Sequence, residues 1–189
     1  MNGRSTPSQT VGPYFGIGFS WLERNDLTEG DTSGTRVTIR GRVLDGDGQP
    51  VPDAVLEIWQ ADADGCYAYP KNEGELLAAN PFFGFGRIST NDQGEFRFAT
   101  IKPGKVPGTE DTLQAPHLEV SVFMRGLLRR LVTRIYFPGE PSNDADAVLG
   151  LVPAPRRRTL IAKPSVNEPN TLVWDVHLQG DQETVFFDS

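Results

Sequence analysis

From residue 36 onward the apolar residues of this chain recur at every second position, not every third or fourth. Val37, Ile39 and Val43 alternate with Arg36, Thr38, Arg40 and Arg42, which predicts a strand with one buried face. After the turn sequence Asp45-Gly46-Asp47-Gly48, residues 54–60 are apolar on both faces apart from Glu57 and the terminal Gln60. A strand of that kind belongs in the middle of a sandwich. Residues 88–90 and 95–100 flank Asn91-Asp92-Gln93-Gly94 and predict a hairpin, with Phe96 and Phe98 on one face. In residues 115–122, Leu118, Val120 and Val122 would face the core, while His117, Glu119, Ser121 and the following Arg125 share the other side. The same period runs through residues 130–137, 171–178 and 183–187. About eight short strands with little helix predict an all-β, antiparallel β-sandwich. Short helices are expected only near Leu76 and Leu77, within residues 71–80, and over residues 142–151.

Residues 1–35 lack this alternation. They read as an extended N-terminal arm that packs on another surface, with residues 36–189 as the sandwich domain. Within the arm, two prolines and Gly12 hold Thr6-Pro7-Ser8-Gln9-Thr10-Val11-Gly12-Pro13-Tyr14-Phe15 in a defined non-helical shape. On composition alone, a terminus without fixed structure fits equally well.

Bulk composition narrows the function classes. The 189 residues carry a net charge of −7, which argues against binding to a nucleic-acid backbone. A single cysteine, Cys66, excludes a disulfide-stapled module and suits a reducing compartment. No apolar run is long enough for a membrane span or a signal-peptide core, so a cytoplasmic protein without membrane partners is expected.

Few constellations carry chemistry. Asp62-x-Asp64-Gly65 opens like a calcium loop, but the remaining ligand positions are wrong. Gly84-x-Gly86 lacks the third glycine of a dinucleotide fingerprint and is assigned to packing. There is no Gly-x-Ser-x-Gly elbow, and Asp175 with His177 is given a structural role. Arg156-Arg157-Arg158 is read as a solvated face. What remains is the His117-x-Glu119 strand face behind Lys102-Pro103-Gly104, a place for a metal or for acid–base work. Any metal chemistry would have to use tyrosine, histidine and carboxylate, a donor set suited to ferric iron.

The order and spacing of longer motifs then matter. Leu56-Glu57-Ile58-Trp59-Gln60-Ala61-Asp62 with Gly65 and Tyr67, Gly86-Arg87, Thr100-Ile101-Lys102-Pro103-Gly104 and Ala115-Pro116-His117 together resemble the intradiol ring-cleaving dioxygenases. The resemblance extends to the Thr6-to-Tyr14 stretch, Phe123-Met124-Arg125-Gly126, Thr133-Arg134-Ile135-Tyr136-Phe137 and the C-terminal Glu183-Thr184-Val185-Phe186-Phe187-Asp188. It implies a β-sandwich and a ferric iron held by two tyrosines and two histidines. Those ligand positions fall on Tyr67, Val106, His117 and Glu119. Tyr67 and His117 look like remnants, and the ligands are lost at Val106 and Glu119. The resemblance therefore implies no metal and no complete catalytic set in this chain. It implies a homologous beta subunit that holds Fe(III) in an alpha–beta hetero-oligomer acting on protocatechuate and O2. Thr10, Gly12, Pro13 and Arg125 match positions that line the substrate cavity in the family. Two alternatives stay open. One is a self-sufficient metalloenzyme using Tyr67, His117 and Glu119. The other is a non-catalytic binding module, to which the turn from Val43 to Pro50 followed by Ala54-Val55 is similar.

Overall fold

The structure, a computed structural model, describes residues 6–12, 14–30, 32–68, 82–109 and 112–188. Two sheets face each other. The first contains β2 (Val55–Trp59), β3 (Phe85–Ser89), β7 (His117–Phe123) and β8 (Leu131–Tyr136), ordered β3-β2-β7-β8 and antiparallel throughout. As its two-sided apolar pattern predicts, β2 is an interior strand. The second sheet is built on β1 (Arg36–Leu44) with β4 (Glu95–Ile101), β9 (Lys163–Pro164), β10 (Thr171–Val173) and β11 (Val176–His177). A two-stranded ribbon joins β5 (Val106–Pro107) to β6 (Leu113–Gln114). Ile39, Val43, Phe96 and Phe98 of one sheet meet Leu56, Ile58, Leu118, Val120 and Val122 of the other in a dry core. Each such side chain contributes about 1.5–3 kcal/mol by leaving water.

Several expectations need correction. β1 pairs with β10 and β11 in parallel, so the second sheet is mixed. The 171–178 segment is also two strands, because Trp174 and Asp175 arch over Gly41. A Cβ at Gly41 would run into the Trp174 carbonyl, and the Asp175 carboxylate accepts from the Arg42 N–H at 2.9 Å. The predicted hairpin is instead an arch between sheets: β3 pairs with β2, whereas β4 pairs with β1 over seven positions. Its turn chemistry is as expected, with the Asn91 side chain accepting from the N–H groups of Gln93 and Glu95. That chemistry reverses the chain without choosing its partner strand.

Part of the arm packs on this chain's own sandwich. Residues 24–27 bridge the open side of the sandwich: Arg24 exchanges backbone hydrogen bonds with Arg87 of β3, while Asn25 and Leu27 bond Ala99 of β4. Leu27 is 1% exposed and belongs to the main core. An added Cβ at Gly86 would lie 2.7 Å from Leu27 Cδ1, so that glycine makes room for the plug. Upstream, a short helix α1 (Tyr14–Phe19) and a 3₁₀ turn (Ser20–Leu22) lie on the outer face of the first sheet. Phe15 contacts Phe123 at 5.2 Å, and the Arg87 guanidinium sits 4.5 Å over Phe19.

A smaller core of Ala115, Tyr136, Leu149, Val152 and Leu160 covers the other end of that outer face. The helix expected over 142–151 is a 3₁₀ turn (Pro141–Ala145) followed by α2 (Ala147–Leu151), and Asp146 caps α2 by accepting from the Leu149 N–H. The arginine run is engaged, not merely solvated. Arg157 caps the α2 carbonyls of Gly150 and Val152, Arg156 reaches Glu183, and Arg158 reaches Gln182. The helix expected around Leu76 and Leu77 lies outside the described residues.

Candidate functional site

The Trp-Gln-Ala-Asp and Lys-Pro-Gly turns interlock. Gly104 donates to the Asp62 carbonyl at 2.8 Å, and a Cβ on Gly65 would strike the Lys105 carbonyl, which is why glycine stands there at a positive φ of 80°. The Asp62 carboxylate accepts from the backbone N–H groups of Asp64 and Cys66, so the acidic pair shapes a turn. Gln60, 1% exposed, holds the turns to the second sheet through the Ile101 carbonyl (3.1 Å) and Thr100 Oγ1 (2.5 Å). This lock delivers Tyr67 and Val106 to one end of the first sheet.

There, the outer faces of β2, β7 and β8 present Trp59, Glu119 and Arg134 in one cross-strand row and His117 with Tyr136 in the next. Tyr67 stacks flat on Trp59, with ring centroids 5.9 Å apart and planes within 6°. Val106 is buried and offers no donor atom. His117 is 4% exposed, and its Nδ1 lies 2.7 Å from the Ala115 carbonyl, which fixes the proton on that nitrogen. Burial and then the Arg134 charge push the imidazole below its ordinary pKa. Burial likewise drives the Tyr136 hydroxyl up to about 12.

Arg134 decides what the site can hold. Its guanidinium pairs with Glu119 Oε1 (3.2 Å), donates to Gln114 Oε1 (2.7 Å) and reaches Tyr136 Oη (3.4 Å). A permanent cation therefore already occupies the place where a ferric ion would have to share Glu119 beside His117. With Val106 inert and Glu119 paired to Arg134, these residues do not fit the family's iron, and no group of three or more His, Cys, Asp or Glu able to hold a metal occurs among the described residues. Behind the row, the buried Asp146 carboxylate accepts from Ala115 N (2.7 Å), Tyr136 Oη (3.0 Å) and Leu149 N (2.7 Å).

Thr10 Oγ1 accepts from the Gly126 N–H at 2.7 Å, tying the arm to the turn that bears Arg125. Arg125 Nε is 2.9 Å from Asp53 Oδ2, and the side chain is 61% exposed. The Gly12 carbonyl accepts from Phe15 N–H at 3.0 Å and starts α1. Pro13 lies outside the described residues. Arg134, Gln114, Asp146 and Asp53 escaped the sequence reading. Arg134 and Tyr136 could have been found, since alternation places both on one face of the strand that pairs with His117-x-Glu119.

The sequence and the fold have relatives. A family model described as Dioxygenase matches residues 11–180. The protocatechuate 3,4-dioxygenase alpha chain of Burkholderia cepacia is 41% identical, with 98% of each chain covered. The beta chain from that organism is 36% identical over 77% of this chain and 63% of its own. Among solved structures, the dioxygenase domain of a dioxygenase carbohydrate-binding protein fusion from Streptomyces sp. SirexAA-E superposes with a TM-score of 0.64 at 25% identity, covering 98% of this chain and 96% of that one. The chain belongs to the intradiol ring-cleaving dioxygenase family. Within that family it matches protocatechuate 3,4-dioxygenase alpha chains from end to end.

Proposed function

We propose that this chain is the alpha subunit of a protocatechuate 3,4-dioxygenase. In this reading it is one half of an alpha–beta hetero-oligomer that cleaves protocatechuate with O2 to 3-carboxy-cis,cis-muconate. Ferric iron resides in the homologous beta subunit and supplies the oxygen chemistry; this chain supplies shape and charge. The observation that carries the reading is the Arg134–Glu119 pair at the vestigial ligand positions of a chain that matches alpha chains over its whole length.

Other features support a role at the subunit boundary. Among the described residues, neither a positive φ nor crowding calls for glycine at position 12, since an added Cβ there meets nothing within 4 Å. A surface approaching from another subunit is a reason for it. Tyr14, Ile17 and Trp21 recur at helical spacing and are 79%, 67% and 78% exposed, so the arm offers an apolar stripe to a partner. Thr10, Gly12 and Pro13 on the arm, and Arg125 beside it, line the substrate cavity, where a guanidinium attracts an anionic acid. No described helix is long and apolar enough to cross a membrane, and the reading places the enzyme in the cytoplasm without nucleic-acid partners. The test is reconstitution. Mixing this chain with a beta chain should yield turnover of protocatechuate that neither preparation has separately, and turnover by this chain alone would refute the assignment.

A further inference from the structure

Between the C-terminal segment and strands β9, β10 and β11 of the second sheet lies a cavity of about 120 Å³. Arg158, Lys163, His177 and Thr184 line it, each from a different stretch of the chain. It shares no lining residue with the Trp59–Arg134 row or with the Thr10 and Arg125 group. Thr184 is 0% exposed; its Oγ1 accepts from the His177 N–H at 3.0 Å, but its own hydroxyl hydrogen meets no acceptor among the described residues. The Lys163 ammonium and the His177 ring likewise have no ion-pair or hydrogen-bond partner among those residues. Arg158 donates to Gln182 Oε1 at 3.2 Å through one nitrogen, and the rest of its fork is unmatched there too. Asp175 is the one acidic residue on the wall, and its Oδ1 already accepts from the Arg42 N–H. Two permanent cations against one carboxylate invert the local sign in a chain of net charge −7.

Each of these unmatched groups can donate a hydrogen bond, so the occupant that completes the cavity is an anion rich in acceptors. A water takes about 30 Å³ of the liquid, which makes this cavity about four waters large, the space of the four oxygens of a tetrahedral ion. Donors from four stretches of chain suit four oxygens better than the two of a planar carboxylate. We propose that the cavity binds a tetrahedral oxyanion, phosphate or the phosphate head of a small ester, on Arg158, Lys163, the His177 ring and the Thr184 hydroxyl. Bound there, the ion bridges the C-terminal segment to β9 and β11, so occupancy stabilises the fold by mass action. The site does not depend on the subunit assignment.

The experiment titrates the full chain with inorganic phosphate at constant ionic strength, with chloride as the balancing salt, and follows backbone amides by NMR. Saturable shifts are expected at Arg158, Lys163, His177 and Thr184, with a urea midpoint of unfolding that rises with occupancy. Affinity should fall by about tenfold or more in the Arg158→Gln/Lys163→Gln double variant, whose altered side chains are exposed. Arg156→Gln, from the same arginine run but paired with Glu183, should change it by less than about twofold. Glycerol 3-phosphate binding as tightly as phosphate identifies an ester head, and much weaker binding identifies the free ion; either result upholds the site. Shifts that chloride reproduces, that do not saturate, that map elsewhere or that survive the double variant overturn the proposal and leave an adventitious ion only.

Discussion

The Asp146 carboxylate holds the smaller core to the Tyr136 end of β8, and its removal should be among the most damaging single changes in the chain. Only 2% exposed, it accepts three hydrogen bonds, from the backbone of Ala115, the backbone of Leu149 and the hydroxyl of Tyr136. Asp146→Ala strands three donors in a region sealed by Leu149, Val152 and Leu160. A hydrogen bond to a charged group contributes about 1.5–3 kcal/mol, and a stranded buried donor costs about 1–3 kcal/mol. The loss of the α2 cap is part of the same sum, at about 1 kcal/mol. Allowing for relaxation, the substitution should cost about 3–5 kcal/mol, a large share of a typical domain's stability. Urea unfolding followed by tryptophan fluorescence reads this directly. Tyr136→Phe should cost about 1–2 kcal/mol, and in the double variant the two losses should fall short of additive by about 1 kcal/mol. An Asp146→Ala cost below about 1 kcal/mol would refute the account of this carboxylate as the organiser of that end of the sheet.

Other predictions follow from the packing and the ion pairs. Leu27→Ala should destabilise by about 2–4 kcal/mol, measured in the same unfolding assay, because it empties a plug between the two sheets; a cost below 0.5 kcal/mol, on the order of an exposed-site change, would return the arm to mere decoration. The Glu140 carboxyl is held down to about 2, first by its 2.6 Å hydrogen bond from Lys102 and then by Ser142. A carboxyl depressed on folding adds stability that is fully present above its unfolded value of about 4.5 and is lost as pH falls toward about 2. With Lys102 38% exposed, solvent screening reduces this to about 1–2 kcal/mol, and Lys102→Ala should flatten the stability profile in that window. His117, whose pKa burial depresses, adds a second acid-side loss that begins as pH falls below 6.5. His117→Gln should remove that portion of the pH dependence, and an unchanged profile would mean the ring is not buried neutral.

Much of the sandwich was legible because half-buried strands must alternate. Leu118, Val120 and Val122 point into the core and Glu119 and Ser121 do not, as the period of two requires. The two-sided apolar character of β2 likewise marked it as interior. Sheet partners were not legible, because the Asn91–Gly94 turn chemistry is local while β3 and β4 find their partners far away in sequence. The parallel pairing of β1 with β10 and β11 depends on Gly41 letting the Trp174 backbone pass, a contact 133 residues distant in sequence, like the Asp175 bond to Arg42. Leu27 was missed because a single apolar residue among polar neighbours carries no period. At the site, the positions of Val106 and Glu119 could be matched from the motifs alone. The guanidinium of Arg134 on Glu119 appears only once β7 and β8 are set in register.

The central claim is that this chain has given up the metal its fold was built around, and iron analysis of the isolated chain tests it most directly. Purified without a beta chain and exposed to ferric iron, the protein should be colourless, carry far less than one iron per chain and show no ferric–tyrosinate absorption. One tightly bound iron per chain with that absorption band, lost in Tyr67→Phe or His117→Ala, would contradict the claim.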